Sequence, residues 1–225
     1  NRPGMSIAAH LPALQVVIPL LSAPLAVLMR GSGAAFVVVT AAAWAAFAIA
    51  IALWLQADSG AISYAIGSWP PPWGIEYRAD RLSAFVLLIV SGMAAVMLPY
   101  CRASIAREIP REQHYLFYAL FALCVAGLLG ITITGDAFNI FVFLEISSLS
   151  SYVLIAMGRD RRALFAAYQY LIMGTIGATF IVIGIGLLYL VTGTLNLADM
   201  AARIEQSRET RPVLAALAFL TVGLS

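Results

Sequence analysis

The spacing of its charges constrains this chain more than any other feature. No Asp, Glu, Lys or Arg falls between Arg2 and Arg30, Arg30 and Asp58, Arg81 and Arg102, Glu112 and Asp136, or Arg162 and Asp199. Residues 137–158 are equally apolar except for one carboxylate, Glu145. A helix needs about 20 largely apolar residues to cross a hydrocarbon layer of about 30 Å. Backbone groups in lipid must be satisfied within the segment, so these stretches are expected as helices and not as open strands. The spans are predicted near 11–29, 34–55, 82–100, 115–134, 137–157 and 164–191, an all-α polytopic transmembrane bundle. Composition agrees: 62% of residues are hydrophobic and 11% charged, against about a quarter charged in soluble domains.

The ends suggest the front part of a longer protein. Asn1 is not an initiator, Met5 is a better natural start, and residues 212–225 begin a seventh apolar segment too short to span. The first segment contains Pro12, Pro19 and Pro24 and has no clear cleavage site after it, which speaks against a signal peptide. All 13 basic residues are arginine. Alternating loops place Arg30, Arg102, Arg107, Arg111, Arg159, Arg161 and Arg162 on one side. Arg2, Arg78, Arg81, Arg203, Arg208 and Arg211 fall on the other. The short loops favour the first side as cytoplasmic, which puts the N-terminus outside.

Two pieces outside the spans have a readable pattern. Ile62, Tyr64 and Ile66 alternate with small or polar residues, as do Ile75, Tyr77 and Ala79, around a Trp69-Pro70-Pro71-Pro72-Trp73-Gly74 run that cannot be helical. A hairpin-like extracytoplasmic loop over 58–80 is expected, its tryptophans at headgroup level. Leu197, Met200, Ala201 and Ile204 recur at helical spacing opposite Asp199, Arg203 and Glu205, with Asn196 as cap. They predict an amphipathic helix over 196–206 lying on the membrane.

Glu145 carries the functional expectation. It lies nine residues into its span, roughly 14 Å from one end, where an ionisable group costs about 3 kcal/mol on insertion scales. Such a group persists where it faces protein or water. Ser148 and Tyr152 follow at i+3 and i+7, and Ser147, Ser150 and Ser151 add hydroxyls. The supporting polar face is assigned to Ser148, Ser151 and Tyr152. Glu145 is then a site of proton exchange or charge coupling; the alternative is a neutral glutamate gluing helices together.

Other positions have blander readings. Asp136 caps the fifth span or stands at a pathway entrance, and Asp80 caps the third. His114 is an interfacial residue at the start of the fourth span. Gly174, Ala178 and Gly186 form a small-residue ridge, Gln169 can bond across helices, and Cys124 is a small core residue. Cys101 and Cys124 form no CxxC pair. No phosphate loop, catalytic triad or metal-ligand cluster is found, so no cofactor or metal is assigned. A net charge of +2 gives no basis for nucleic-acid binding.

The run from Gly135 to Glu145, GDAFNIFVFLE, with Ser151-Tyr152 after it, resembles the fifth-helix signature of antiporter-like subunits. These occur in Mrp-type multisubunit sodium/proton antiporters, respiratory complex I and membrane-bound hydrogenases. Gly193 to Asp199, GTLNLAD, is similar to the stretch after the family's sixth helix. Trp69-Pro70, Gly74-Ile75 and Asp80-Arg81-Leu82-Ser83-Ala84 look most like the D subunits of Mrp antiporters. The resemblance implies about fourteen helices with two inverted five-helix repeats, of which this chain holds the start. It implies that Glu145 pairs with a lysine expected just past Ser225. A lysine common in the family before the tyrosine of helix six is Gln169 here.

The resemblance further implies partner membrane subunits in a hetero-oligomeric complex, protons and Na+ as the transported ions, and a multi-pass location in the bacterial inner membrane. The rival expectation is a proton-pumping, non-redox subunit of a complex I-like or hydrogenase membrane arm. A third is a scaffold bundle.

Overall fold

The computed structural model describes residues 7–207 and 210–225. Among the described residues six helices are long and apolar enough to cross a membrane: α1 (Leu11–Met29), α2 (Ser32–Gln56), α3 (Arg81–Glu108), α4 (His114–Ile133), α5 (Ala137–Ala156) and α6 (Arg161–Thr192). A short α7 (Leu197–Gln206) and an apolar α8 (Thr210–Leu224) follow. Arg2 and Arg208, which enter the orientation argument, lie outside the described residues.

Small residues let the helices approach closely. α1 packs on α2 and α4, and α2 on α3. Ala46, Ala50, Val16, Leu53, Leu87 and Leu129 fill the shared core. Alanine and glycine at such seams allow van der Waals contact between backbones that bulkier residues would hold apart. Pro19 and Pro24 sit inside α1, where each removes a backbone donor.

α3 runs beyond the predicted 82–100 by about two turns, through Arg102 to Glu108. The physical reason is that an arginine need not end a span. The Arg102 guanidinium lies 4.5 Å over the Phe36 ring, so its charge is accommodated against the bundle. α6 likewise exceeds 164–191 at both ends, with Asp160 capping its first turn through a bond from Arg162 N at 3.0 Å.

Between α2 and α3, β1 (Ile62–Ala65) and β2 (Glu76–Ala79) pair antiparallel, with Tyr64 opposite Tyr77. The Pro-rich segment forms the tip. Gly74 is required there, because a β-carbon would lie 2.4 Å from the Trp69 carbonyl oxygen. Trp69 and Trp73 at the tip are exposed. The hairpin sits at the same end of the bundle as α7, the C-terminal ends of α4 and α6, and the N-terminal end of α5. His10, before α1, joins it through a 2.9 Å bond between its Nδ1 and the Tyr64 hydroxyl. Arg30, Arg102, Arg107, Arg111, Arg159, Arg161 and Arg162 occupy the opposite end.

Within α7, Met200 and Ile204 join a core with Ile181, Ile185 and Ala216, while Leu197 and Ala201 stay exposed. Thus α7 leans on α6 and α8 through half of its apolar stripe.

Candidate functional site

α5 has two unlike sides. On one, Phe143, Ser147 and Ser151 meet α4. The β-carbons that Gly127 and Gly130 lack would fall 2.8 Å from Ser147 Cβ and 2.4 Å from the Phe143 ring. Cys124 Sγ lies 3.7 Å from Ser147 Oγ and 3.4 Å from Ser151 Oγ. Ser151 also donates to the Ser147 carbonyl at 2.9 Å. Ser151 therefore turns toward α4, and the polar side chains it is grouped with are not those beside Glu145.

The other side carries Glu145, Ser148 and Tyr152, which helical spacing stacks on one face. Glu145 is half-buried near the middle of α5. Tyr152 is 8% exposed and faces α6, its ring edge-on to Tyr170 at 5.0 Å between centroids. It stands one turn from Ser148 and two from Glu145 on that face. Its hydroxyl occupies the space beside Gly174, where a β-carbon would be only 1.8 Å away. Phe138 and Leu149, two turns before and one turn after Glu145 on the same side of the helix, are exposed. The carboxylate therefore stands at the margin of the α5–α6 contact, beside an open face.

The small-residue ridge of α6 is only partly as expected. Gly174 admits Tyr152 and Ala178 is buried, but Gly186 has no atom within 4 Å of its missing β-carbon. The close contacts to α8 come from Gly177, against the Gly223 carbonyl, and Gly184, against Leu220. Spacing at four residues does not register that α8 covers a different stripe of α6.

At the hairpin end, a polar knot joins three connections. Asp136 is the N-cap of α5, its Oδ1 accepting from Asn139 N at 2.8 Å. Burial raises its pKa from the usual carboxylate value, against the lowering effect of the Asn139 and Phe138 amides. Asn196 caps α7 through bonds from Ala198 and Asp199 amides, both 3.1 Å. Its side-chain amide donates to Glu76 Oε2 at 2.9 Å, and Ser63 donates to Glu76 Oε1. Gly135 N donates to the Glu76 carbonyl at 2.8 Å, Ala137 N to Leu195 O at 2.8 Å and Leu197 N to Gly135 O at 2.9 Å. Asp136 lines an open depression of about 310 Å³ with Trp73, Tyr189 and Arg203. Glu76 lines another of about 340 Å³ with Arg78 and Asp80. Sequence reasoning misses Glu76; only its place in a strand next to tyrosine is visible there.

The remaining candidates are structural. Asp80 caps α3 in a reciprocal box with Ser83, both bonds 2.8 Å. His114 is buried, with Nε2 2.9 Å from the Ile109 carbonyl, and so ties α4 to the end of α3.

Comparison with known proteins supplies the context. A family model described as "NADH:quinone oxidoreductase/Mrp antiporter, TM" matches residues 134–225, which hold Glu145 and α5 to α8. The N subunit of the NADH-quinone oxidoreductase of Desulforudis audaxviator is 44% identical over 96% of this chain and 44% of its own length. The D subunit of the Na(+)/H(+) antiporter of Bacillus subtilis is 31% identical over 94% of this chain and 43% of its own. A solved chain of the Mrp complex from Dietzia sp. superposes with a TM-score of 0.84 at 28% identity, covering 98% of this chain and 41% of that one. The chain thus spans less than half the length of the relatives it matches.

Proposed function

Because the chain belongs to the NADH:quinone oxidoreductase/Mrp antiporter family of membrane subunits, we propose that it contributes the first proton-handling helices of a multisubunit cation/proton antiporter. Glu145 is its proton and charge-coupling site. The observation that carries this reading is a lone carboxylate halfway along an apolar span, half-buried at the edge of a helix contact and flanked by hydroxyls. A charge at that depth is costly and persists where it meets protein or water.

A nearby cation favours the ionised form of Glu145 and desolvation favours the neutral one. A partner cation that approaches and withdraws would therefore release and bind a proton at this carboxylate. Sodium is the counter-ion expected from the antiporter relative's name, with other membrane subunits completing the complex. The arginine-rich end is assigned to the cytoplasm of a bacterial cell and the hairpin end to the outside, which also places the N-terminus outside and α7 on the outer membrane surface.

The test uses vesicles holding the full complex. Glu145→Gln and Glu145→Ala should abolish sodium-driven proton movement while leaving assembly intact; exchange at the wild-type rate would sink the assignment. A second reading, a proton-pumping subunit of an oxidoreductase membrane arm, is favoured by the higher identity to the quinone oxidoreductase relative. In that case quinone reduction, and not a sodium gradient, drives the Glu145-dependent proton movement in the same vesicles.

A further inference from the structure

Both ion pairs among the described residues lie at the hairpin end, Arg81 with Asp58 and Arg203 with Asp199. The seven arginines of the opposite end are all exposed, and among the described residues none of them is ion-paired. Three carboxylates, Glu108, Glu112 and Asp160, share that end with them. A depth and an aromatic seat single out Arg102. α3 begins at Arg81, which is exposed, and Arg102 lies 21 residues further along it, roughly 31 Å. That is about the thickness of the hydrocarbon layer, so the Arg102 guanidinium stands at the phosphate level of the far leaflet. Arg107 lies roughly 8 Å further out.

The Arg102 side chain crosses the seam between α3 and α2, its guanidinium 4.5 Å over the Phe36 ring. A ring attracts the cation through its face but offers no acceptor to the guanidinium N–H groups. No hydrogen bond from them is made among the described residues. Phosphate oxygens supply such acceptors in bidentate geometry. Toward the membrane interior the two helices present apolar surface: Met93, Val96 and Tyr100 of α3 and Val37 and Trp44 of α2 are exposed. That surface gives an acyl chain a seat that a free anion does not use. We infer that Arg102, held on Phe36, is the phosphate-binding residue of a site for an anionic phospholipid whose chains lie against α2 and α3. The excess of unpaired arginine at this end draws such a lipid in preference to a neutral one. The site stands whether or not Glu145 carries protons.

Binding is read on the complete parent complex in neutral detergent, as the rise in melting temperature on adding lipid. Phosphatidylglycerol should raise it, phosphatidylcholine should raise it less, and inorganic phosphate should leave it unchanged. Arg102→Gln should increase the half-maximal phosphatidylglycerol concentration by about five-fold or more, and Arg107→Gln by less. Equal responses to the two lipids, or an unchanged response in Arg102→Gln, overturn the site. Equal shifts in the two variants assign the effect to diffuse surface charge and overturn it too. A response to inorganic phosphate as large as that to phosphatidylglycerol overturns the lipid as occupant. If Arg102→Gln lowers the melting temperature by the same amount at every lipid concentration, the arginine is a packing or subunit contact and the site is overturned. Should Arg102→Gln fail to assemble, Phe36→Leu decides, because it removes the ring under the guanidinium and keeps an apolar side chain. A weaker response to phosphatidylglycerol then supports the site, and an unchanged one overturns it.

Discussion

Glu76 and Asn196 are 120 residues apart in sequence and 2.9 Å apart in space, carboxylate Oε2 to side-chain amide. That bond fastens the hairpin to the start of α7, and the Glu76 carbonyl fastens both to the turn that begins α5. Breaking it should loosen the whole end of the bundle. Glu76→Ala leaves the buried Asn196 amide unsatisfied, and a hydrogen bond to a charged group contributes about 1.5–3 kcal/mol. The purified complex should melt at lower temperature, and the double variant with Asn196→Ala should be less than additive. Additive losses would show that the two side chains act independently.

Gly130 and Gly186 should respond oppositely to the same change. A methyl at Gly130 enters the Phe143 ring, whereas at Gly186 it meets nothing. Overpacking costs about 1–3 kcal/mol, and replacing a helical glycine with alanine otherwise favours the helix by up to about 1 kcal/mol. Gly130→Ala is therefore expected to reduce yield and melting temperature, and Gly186→Ala to leave both unchanged or improved. Thermal melting of the two purified variants checks the contrast.

Asp136 predicts a pH dependence with a definite sign. Its folded pKa is raised, with burial the dominant cause. A raised carboxylate holds its proton more tightly in the folded state, so its contribution is fully present below the unfolded pKa and lost as pH rises through the folded one. Asparagine keeps the capping oxygen without the charge. Asp136→Asn should therefore gain stability relative to wild type as pH rises from about 4, then hold a constant difference. Melting curves over that range would refute the prediction if the difference shrank with rising pH.

The Asp80 box gives a cleaner test of capping, because Asp80 and its hydrogen bonds are exposed. Asp80→Ala should cost about 0.5–2 kcal/mol and Asp80→Asn less. Equal losses from the two substitutions would assign the effect to charge and not to the hydrogen bond.

Bilayer thickness makes the six long helices legible, since a charge-free run has few other ways to satisfy its backbone. The rule fails at α3, where it ends the span at the first arginine although Arg102 rests on Phe36 within the continuing helix. The hairpin is legible from its alternation, but alternation also turns Glu76 outward. It is buried, because Asn196 and the Gly135 turn close over it. At the site, spacing places Ser148 and Tyr152 with Glu145. It misplaces Ser151, because a count of hydroxyls does not say which neighbouring helix each one meets. The Tyr152–Gly174 fit is not readable, since contact between helices is a property of their relative height and not of either sequence.

The seating of Phe143 over Gly130 has a mechanical corollary. α5 cannot turn about its own axis without lifting an aromatic ring out of its notch, so it is anchored to α4 like the stator of a motor. The same holds on its other flank, where the Tyr152 side chain is lodged at Gly174, and α6 and α8 are tied in turn because Gly177 and Gly223 bring their backbones into direct contact.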